Sequence, residues 1–338
     1  MIKLNVKRKS CGRFLVMGRA GIPLGLETWT YLPLFKTYLE SLGQTVVINK
    51  PTNKSLVELG SEAIVDETCL PCKIEAGAAL ILDGQVDYIF LPRLVSIARG
   101  LTNCPKMISM PDLLRARCKS EVIDPTVDIR RDPKSLLRAV RETGELFTRD
   151  GHKVYEAWQK AVHAYRCYKN LLKNHLMPKE AIEVLSGKKA PEFHPDKGQL
   201  KIALIGHNYN LNDSFSSFNL VNRLREKGLF VYTPDALSEH IINRMNSTME
   251  KQIFWIHERK ILGAAFYYIR RKMVDGIISV TSFNCGTSAV TNEFIGYEAE
   301  KAHIPLLSLI VDEHTAEAGV KTRLEAFANL MKWKHGGI

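Results

Sequence analysis

Two stretches of the chain share one order of apolar and polar positions. In the first, the apolar run in RFLVMGRAGIPLG ends in glycines, ETWTYLPLFKTYLESLG follows with helical spacing, and the β-branched run QTVVINKPT comes next. In the second, LKIALIGHNYN is an apolar run ending at Gly206, SSFNLVNRLREKG reads as an amphipathic helix closed by a glycine, and LFVYTPDAL is again strand-like. Each stretch predicts a β-α-β unit whose handedness brings the second strand parallel to the first. Further apolar runs, VDYIFLP at 86–92, VDGIISV at 274–280 and IPLLSLIVD at 304–312, are continuous rather than alternating. Such runs suit strands covered on both faces of a parallel sheet. The pattern predicts an α/β protein with two doubly wound parallel-sheet lobes, 1–125 and 199–338, and a cleft between them.

The stretch between them, 126–198, has a different rhythm. DPKSLLRAVRETGELF predicts a helix with Asp132 as N-cap and Pro133 at its first position. Val154, Trp158, Ala161, Tyr165 and Leu172 recur at helical spacing, a short helix is expected near Pro178, and GKKAPEFHPDKGQ reads as a linker. This region is expected to be a helical bridge.

Length supports two or three compact units with their own cores. No apolar run is long enough to span a bilayer, and the basic N-terminus lacks the features of a secretory signal. A cytoplasmic protein without membrane association is expected. The formal charge of +11 is spread along the chain and no nucleic-acid-binding signature accompanies it, so no nucleic-acid partner is expected. An anionic cofactor or an acidic protein partner accounts for the charge equally well.

The seven cysteines, at 11, 69, 72, 104, 118, 167 and 285, are read as free or metal-bound rather than as a disulfide framework. In DETCLPCK, Cys69 and Cys72 form a C-x-x-C with no second copy in the chain. That motif suits half of a zinc site, a thioredoxin-like redox pair or part of an iron-sulfur ligand set. Ligands of open α/β sheets bind beyond the carboxyl ends of the strands. Cys104 in TNCPKM and Cys285 in SVTSFNCGTS fall after predicted strands, and Cys69 and Cys72 fall at the opening of the helix PCKIEAGAALIL. Cys69, Cys72, Cys104 and Cys285 are therefore the candidate metal ligands, with Cys167 set aside as an off-stripe thiol. Zinc and an iron-sulfur cluster both accept such a set, and spacing does not separate them.

Polar candidates lie nearby. Asp312, Glu313 and His314 follow the run 304–311, where they serve either as hydrogen-bonding and proton-donating groups at a metal site or as local structure, with Asp312 and Thr315 capping a helix and Glu317 pairing with Arg323. His207 and Tyr209 occupy the glycine turn of the second lobe. His314, Glu313 and His207 are the catalytic candidates. No G-x-G-x-x-G, P-loop or nucleophile elbow is present.

Taken together, GIPLGLETWTYLPLFKTYLESLGQTVV, DETCLPCKIEAG, VDYIFLPRLVS, NCPKM, GHNYNLNDSFSSFNLVNRLREKG, FNCGTS and VDEHTAEAGVKTRLEAF resemble the 2-hydroxyacyl-CoA dehydratase D-component superfamily, in its activase-related branch, CoA-substrate-specific enzyme activase-like. The resemblance covers most of both lobes. It implies an oxygen-sensitive iron-sulfur protein holding a 4Fe–4S cluster, or in one branch a double-cubane cluster, in the crevice. It also implies low-potential electrons delivered by a separate ATP-hydrolysing activator, an acyl-CoA or other small-molecule substrate, and dehydratase- or reductase-type chemistry. By position, Cys69, Cys104 and Cys285 match the cluster cysteines, whereas Cys72 is a departure that adds a fourth thiol. Paired α/β subunits of this kind make a homodimer the expected assembly. A non-catalytic iron-sulfur or zinc-binding accessory protein with the same fold is the alternative expectation.

Overall fold

The computed structural model describes residues 17–334 and 336. Cys11 and the beginning of the first apolar run lie outside the described residues. The chain runs β1 (Arg19–Ile22), α1 (Thr28–Ser41), β2 (Thr45–Ile48), α2 (Lys54–Ala63), α3 (Leu70–Leu82), β3 (Tyr88–Phe90), β4 (Arg93–Ser96), α4 (Pro105–Arg117), β5 (Glu121–Ile123) and β6 (Thr126–Asp128). Three helices follow, α5 (Ser135–Glu145), α6 (Gly151–Lys173) and α7 (Pro178–Leu185). The remainder is β7 (Lys201–Gly206), α8 (Asn208–Asn212), α9 (Leu220–Glu226), β8 (Phe230–Tyr232), α10 (Glu239–Asn246), α11 (Ile256–Arg270), β9 (Gly276–Ser282), α12 (Gly286–Lys301), β10 (Leu306–Val311) and α13 (Glu317–Lys334). A 3₁₀ turn, Pro234–Ala236, follows β8.

The two four-stranded sheets are parallel throughout and share one topology. Their orders are β2-β1-β3-β5 and β10-β9-β7-β8. In each sheet the second strand in chain order flanks the first on one side, and the third and fourth lie on the other. Each sheet is thus doubly wound, with a switch point between β1 and β3 in one and between β7 and β9 in the other. The third parallel pair, β4-β6, is not anticipated by the hydrophobic pattern, because its strands are only three or four residues long.

Burial explains the continuous apolar runs. Every residue of β3 and β9 is buried, as are the last five of β7. Ile202 and Leu204 of β7 point to the face covered by α9 and α13, Ala203 and Ile205 to the face covered by α10 and α11. Fully burying a side chain of Ile or Leu size stabilises by roughly 1.5–3 kcal/mol, so the alternation commits both faces of the sheet to helices. In the first sheet β1, Arg19–Ile22, lies in the glycine-bearing part of the apolar run predicted as strand; the run's first residues lie outside the described residues. Gly21 packs closely there: a Cβ would lie 3.0 Å from Val86 Cγ2, so Val86 would have to shift.

The helical segment differs from expectation at its start. Asp132 and Pro133 stand in the turn before α5, which begins at Ser135 with Lys134 as N-cap, and Asp132 accepts from the Lys134 amide instead of capping the helix. The α6 stripe is shifted toward Val154, Ala157, Ala161, Tyr168 and Leu172, and Tyr168 Oη donates to the Trp29 carbonyl at 2.8 Å, tying α6 to α1.

One helix pair fixes the geometry that follows. α2 and α3 meet backbone to backbone, because a Cβ at Gly60 would fall 1.8 Å from the Lys73 carbonyl oxygen and one at Gly77 would fall 2.1 Å from that of Leu56. Among the described residues no helix is long and apolar enough to cross a membrane.

Candidate metal and redox site

Three helices, α3, α4 and α12, begin in a common way. Cys69 is the N-cap of α3, Cys104 that of α4 and Cys285 that of α12, each in extended backbone conformation and none using its side chain as a cap. Pro71 and Pro105 sit in the first turns of α3 and α4, where a missing amide costs nothing. Three thiols are therefore held at the positive ends of three helices and left free for other partners.

All three line one cavity, and Cys72 lines it with them. The cavity lies between the two switch points. Leu26 reaches it from beyond β1, Asn103 and Cys104 from beyond β3 and β4, His207 and Tyr209 from beyond β7, and Cys285 and Thr287 from beyond β9. A backbone seam holds the edges in register. Thr102 forms an isolated parallel bridge with Trp255, its amide donating to the Phe254 carbonyl and its carbonyl accepting from Ile256. That seam sets Cys104 beside the N-terminus of α11.

Shared topology gives each helix a counterpart. α3 and α11 both lead into the third strand of their sheet, and Cys69 and Trp255 are their N-caps. Three positions further on, Cys72 stands opposite Glu258 in this correspondence. The thiol-rich end of the first lobe thus faces a carboxylate and imidazole end of the second.

The thiols polarise one another. Cys69 Sγ and Cys72 Sγ are 3.7 Å apart. The hydrogen bond from Cys72 pulls the Cys69 thiol down to about 6 against the cost of burial, with help from the nearby charge of Lys106. Cys72, giving that hydrogen bond and fully buried, is pushed well above the usual thiol range. Cys104 is raised by burial and by its neighbours Cys69 and Cys285, while the first-turn amides of Lys106 and Met107 oppose the rise. Cys285 Sγ lies 3.2 Å from Ser288 Oγ.

Beneath the thiols lies a buried polar network that the sequence reading missed apart from His207. His207 Nε2 is 2.9 Å from Glu258 Oε1, and both side chains are buried. Glu258 also accepts from the hydroxyls of Thr287 at 2.7 Å, Ser288 at 3.1 Å and Thr291 at 2.7 Å. Burial disfavours its charge, but His207 and these hydroxyls win and bring its carboxyl down to about 2. His207 stacks on Tyr209 with ring centroids 4.8 Å apart. Across the cleft, Glu27 Oε1 accepts from His257 Nε2 at 3.0 Å and from the Asn103 amide. Burial opposes charge on both Glu27 and His257, but their mutual attraction outweighs it, lowering the Glu27 carboxyl and raising the His257 imidazole from their ordinary values.

His207, Glu258 and Cys285 offer ligand atoms within 4.8 Å of one another, a spacing that suits a single ion. The hydrogen-bonded engagement of Glu258 with His207 uses the lone pair such an ion would need.

The polar group after β10 lies apart from the thiols. Glu313 reaches the first lobe, pairing with buried Lys73 at 2.5 Å, and His314 is 86% exposed. Asp312 Oδ1 accepts from the His314 amide and the Thr315 hydroxyl in a turn ahead of α13. Glu317 pairs with Arg223 rather than with Arg323. None of Asp312, Glu313 and His314 lines the cysteine cavity. Cys118 ends α4, and Cys167 is 3.6 Å from His163 on α6. Neither joins the four thiols.

Fold and site together define a doubly wound α/β protein with a thiol-lined cavity between the carboxyl edges of two sheets. Residues 19–237 match the family described as CoA enzyme activase uncharacterised domain (DUF2229), and the chain belongs to that family. The matched region carries Cys69, Cys72, Cys104 and His207; Cys285 and Glu258 lie beyond it. A search of curated proteins finds no match.

Proposed function

We propose that this protein is an iron-sulfur redox component related to the 2-hydroxyacyl-CoA dehydratase D-components, with its cluster held by Cys69, Cys104 and Cys285 and with Cys72 as a further thiolate. The observation that carries the reading is the arrival of three N-cap thiols and Cys72, from three helices and both lobes, at one buried cavity. An all-sulfur donor set fits an iron-sulfur cluster, and helix N-termini favour the negative charge of such a group. A 4Fe–4S cluster uses four thiolates or leaves one iron open; a double-cubane cluster is the larger alternative. The cluster, when bound, supplies one-electron chemistry at low potential, received from an ATP-hydrolysing activator and used in a dehydratase- or reductase-type system.

The chain's own residues have definable parts in this. First-turn amides of α3 and α4 reach Cys69 and Cys104 and favour their thiolate forms against the cost of burial. Glu258 fixes the orientation of His207 and anchors the first turn of α12 through Thr287 and Ser288, so Cys285 is held from behind. Tyr209, fully buried and pushed well above the usual phenol range, stays protonated and contributes an apolar wall.

A second reading, a zinc-binding accessory protein, has two observations in its favour. Two sulfurs on one tetrahedral ion sit about 3.7 Å apart, which is the Cys69–Cys72 separation. The cavity, about 20 Å³, also has room for little more than one water. Against it, no three of the four thiols approach within single-ion spacing among the described residues.

Iron, acid-labile sulfide and zinc per chain, measured on protein purified without oxygen, separate the readings. About four irons and four sulfides with a reduced-cluster EPR signal is the expected result; about eight of each indicates a double cubane. Cys104→Ser and Cys285→Ser should each remove most of the iron and the visible absorbance. Stoichiometric zinc without iron favours the accessory reading, and unchanged iron in both variants defeats the ligand assignment.

A further inference from the structure

A second cavity, of about 320 Å³, opens beside the thiols, and His207, Ile256 and His257 line both. It lies beyond the carboxyl ends of β7 and β8 and is closed by all three segments of the chain: Tyr31 and Ile97 from the first, Tyr165 and Lys169 of α6, and the first turns of α10 and α11. We propose that this cavity binds a small organic acid, with the ammonium of Lys169 meeting its carboxylate and the mutually packed Tyr31 and Tyr165 rings, 5.6 Å apart, forming one wall for its apolar body.

The charges facing the cavity decide the ligand's sign. Of the cations, His257 is committed to Glu27 and Lys260 to Asp235. Among the described residues Arg259 donates only to neutral groups, Asn243 and Gln252. Lys169 has no ion-pair or hydrogen-bond partner among the described residues, although it is partly buried. Of the anions, Asp235 is already neutralised by Lys260, and Glu239 stands exposed at the rim. The unneutralised charge facing the cavity is therefore positive. Burial, followed by the charge of Lys260, lowers the affinity of Lys169 for its proton, and Asp235 and Glu239 only partly oppose this; the remaining cost is what a bound carboxylate offsets.

Size and wall chemistry narrow the class. The volume is at the low end for small-molecule sites, about 300–1,000 Å³, so a whole coenzyme A thioester does not fit. Ile97, Leu101, Ile242 and Ile261 add apolar wall, which suits a short alkyl or aryl body. The inference stands on the cavity's own residues and does not depend on what the thiols hold.

Calorimetric titration of the full chain, metal-loaded and metal-depleted, with hexanoate, benzoate, hexan-1-ol and butyryl-CoA tests it. At least one acid should bind in both metal states. Lys169→Met should weaken that binding about tenfold or more, Lys169→Arg should restore much of it, and hexan-1-ol should bind wild type and Lys169→Met alike. Thermal unfolding of Lys169→Met near or above the wild-type midpoint verifies folding. The proposal is overturned if neither acid binds, if Lys169→Met binds them as wild type does, or if butyryl-CoA binds while the acids do not. Protein purified without oxygen that carries no iron yet binds the acid would count against the cluster and support this site independently of it.

Discussion

Glu75 holds a proton that the unfolded chain would release at neutral pH. Its side chain is 1% exposed, and Oε2 has no hydrogen-bond partner among the described residues. The loop before α1 packs so tightly on it that a Cβ at Gly25 would lie 1.8 Å from that oxygen. Burial, then the charge of Glu27, raises its carboxyl from 4.5 to about 8, with the Leu26 amide only partly opposing. Below pH 4.5 both states are protonated. Between 4.5 and 8 only the unfolded state ionises, so the native state loses about 1.4 kcal/mol per pH unit, on the order of 5 kcal/mol in all. Above pH 8 the loss levels off. Glu75→Gln keeps the shape and the acceptor for Leu26 but removes the titration. Urea unfolding of both proteins, followed by far-ultraviolet circular dichroism at intervals from pH 5 to 9, should show the variant gaining on wild type by roughly 1 kcal/mol per pH unit. A difference that stays constant across the range would refute the reasoning.

Glu258 has the opposite sign. Its carboxyl falls from 4.5 to about 2, so its contribution, roughly 3 kcal/mol, is complete above pH 4.5 and disappears as pH falls toward 2. Glu258→Gln should flatten the wild-type loss of stability between pH 5 and 2 in unfolding titrations; an identical acid slope would contradict this. Gly60→Ala should cost about 3 kcal/mol or more in urea unfolding, because the Lys73 carbonyl stands where the methyl would go. Since α3 carries Cys69 and Cys72, the same substitution should also reduce bound metal, and a variant with wild-type stability would mean that α2 and α3 part easily.

How much of this was legible depends on the length scale of each feature. The long apolar runs of β7 and β9 read correctly as buried parallel strands, because covering both sheet faces leaves no polar alternation to interpret. The run 304–312 also forms a parallel strand, but β10 is an edge strand whose Ser308 and Ile310 are exposed. The glycines at 43 and 228 marked the ends of α1 and α9, and both have positive φ. By contrast β4, β5 and β6 are too short to carry a period. Asp132 and Pro133 offered a sound local start for a helix, yet α5 begins two residues later, where Ser135 is buried and its hydroxyl accepts from the Asp128 amide.

The site divides the same way. Cysteines are few and chemically distinct, and their placement after strands or before helices singled out Cys69, Cys72, Cys104 and Cys285 from the seven. Glu27, His257 and Glu258 gave no such signal, since GLETWT and IHERK look like ordinary charged helix starts. Only the facing of two sheets buries these groups and leaves them one another as partners. Likewise, the order of strands, loops and helices in each half is written locally, in spacing and turn residues that act over a few positions. Which edges face, which thiols share a cavity and which lysine is left without a direct ion pair depend on contacts between residues far apart in the chain, such as Thr102 with Trp255 and Lys73 with Glu313. Those contacts form only when burying apolar faces has already fixed how the lobes pack, so no local pattern encodes them.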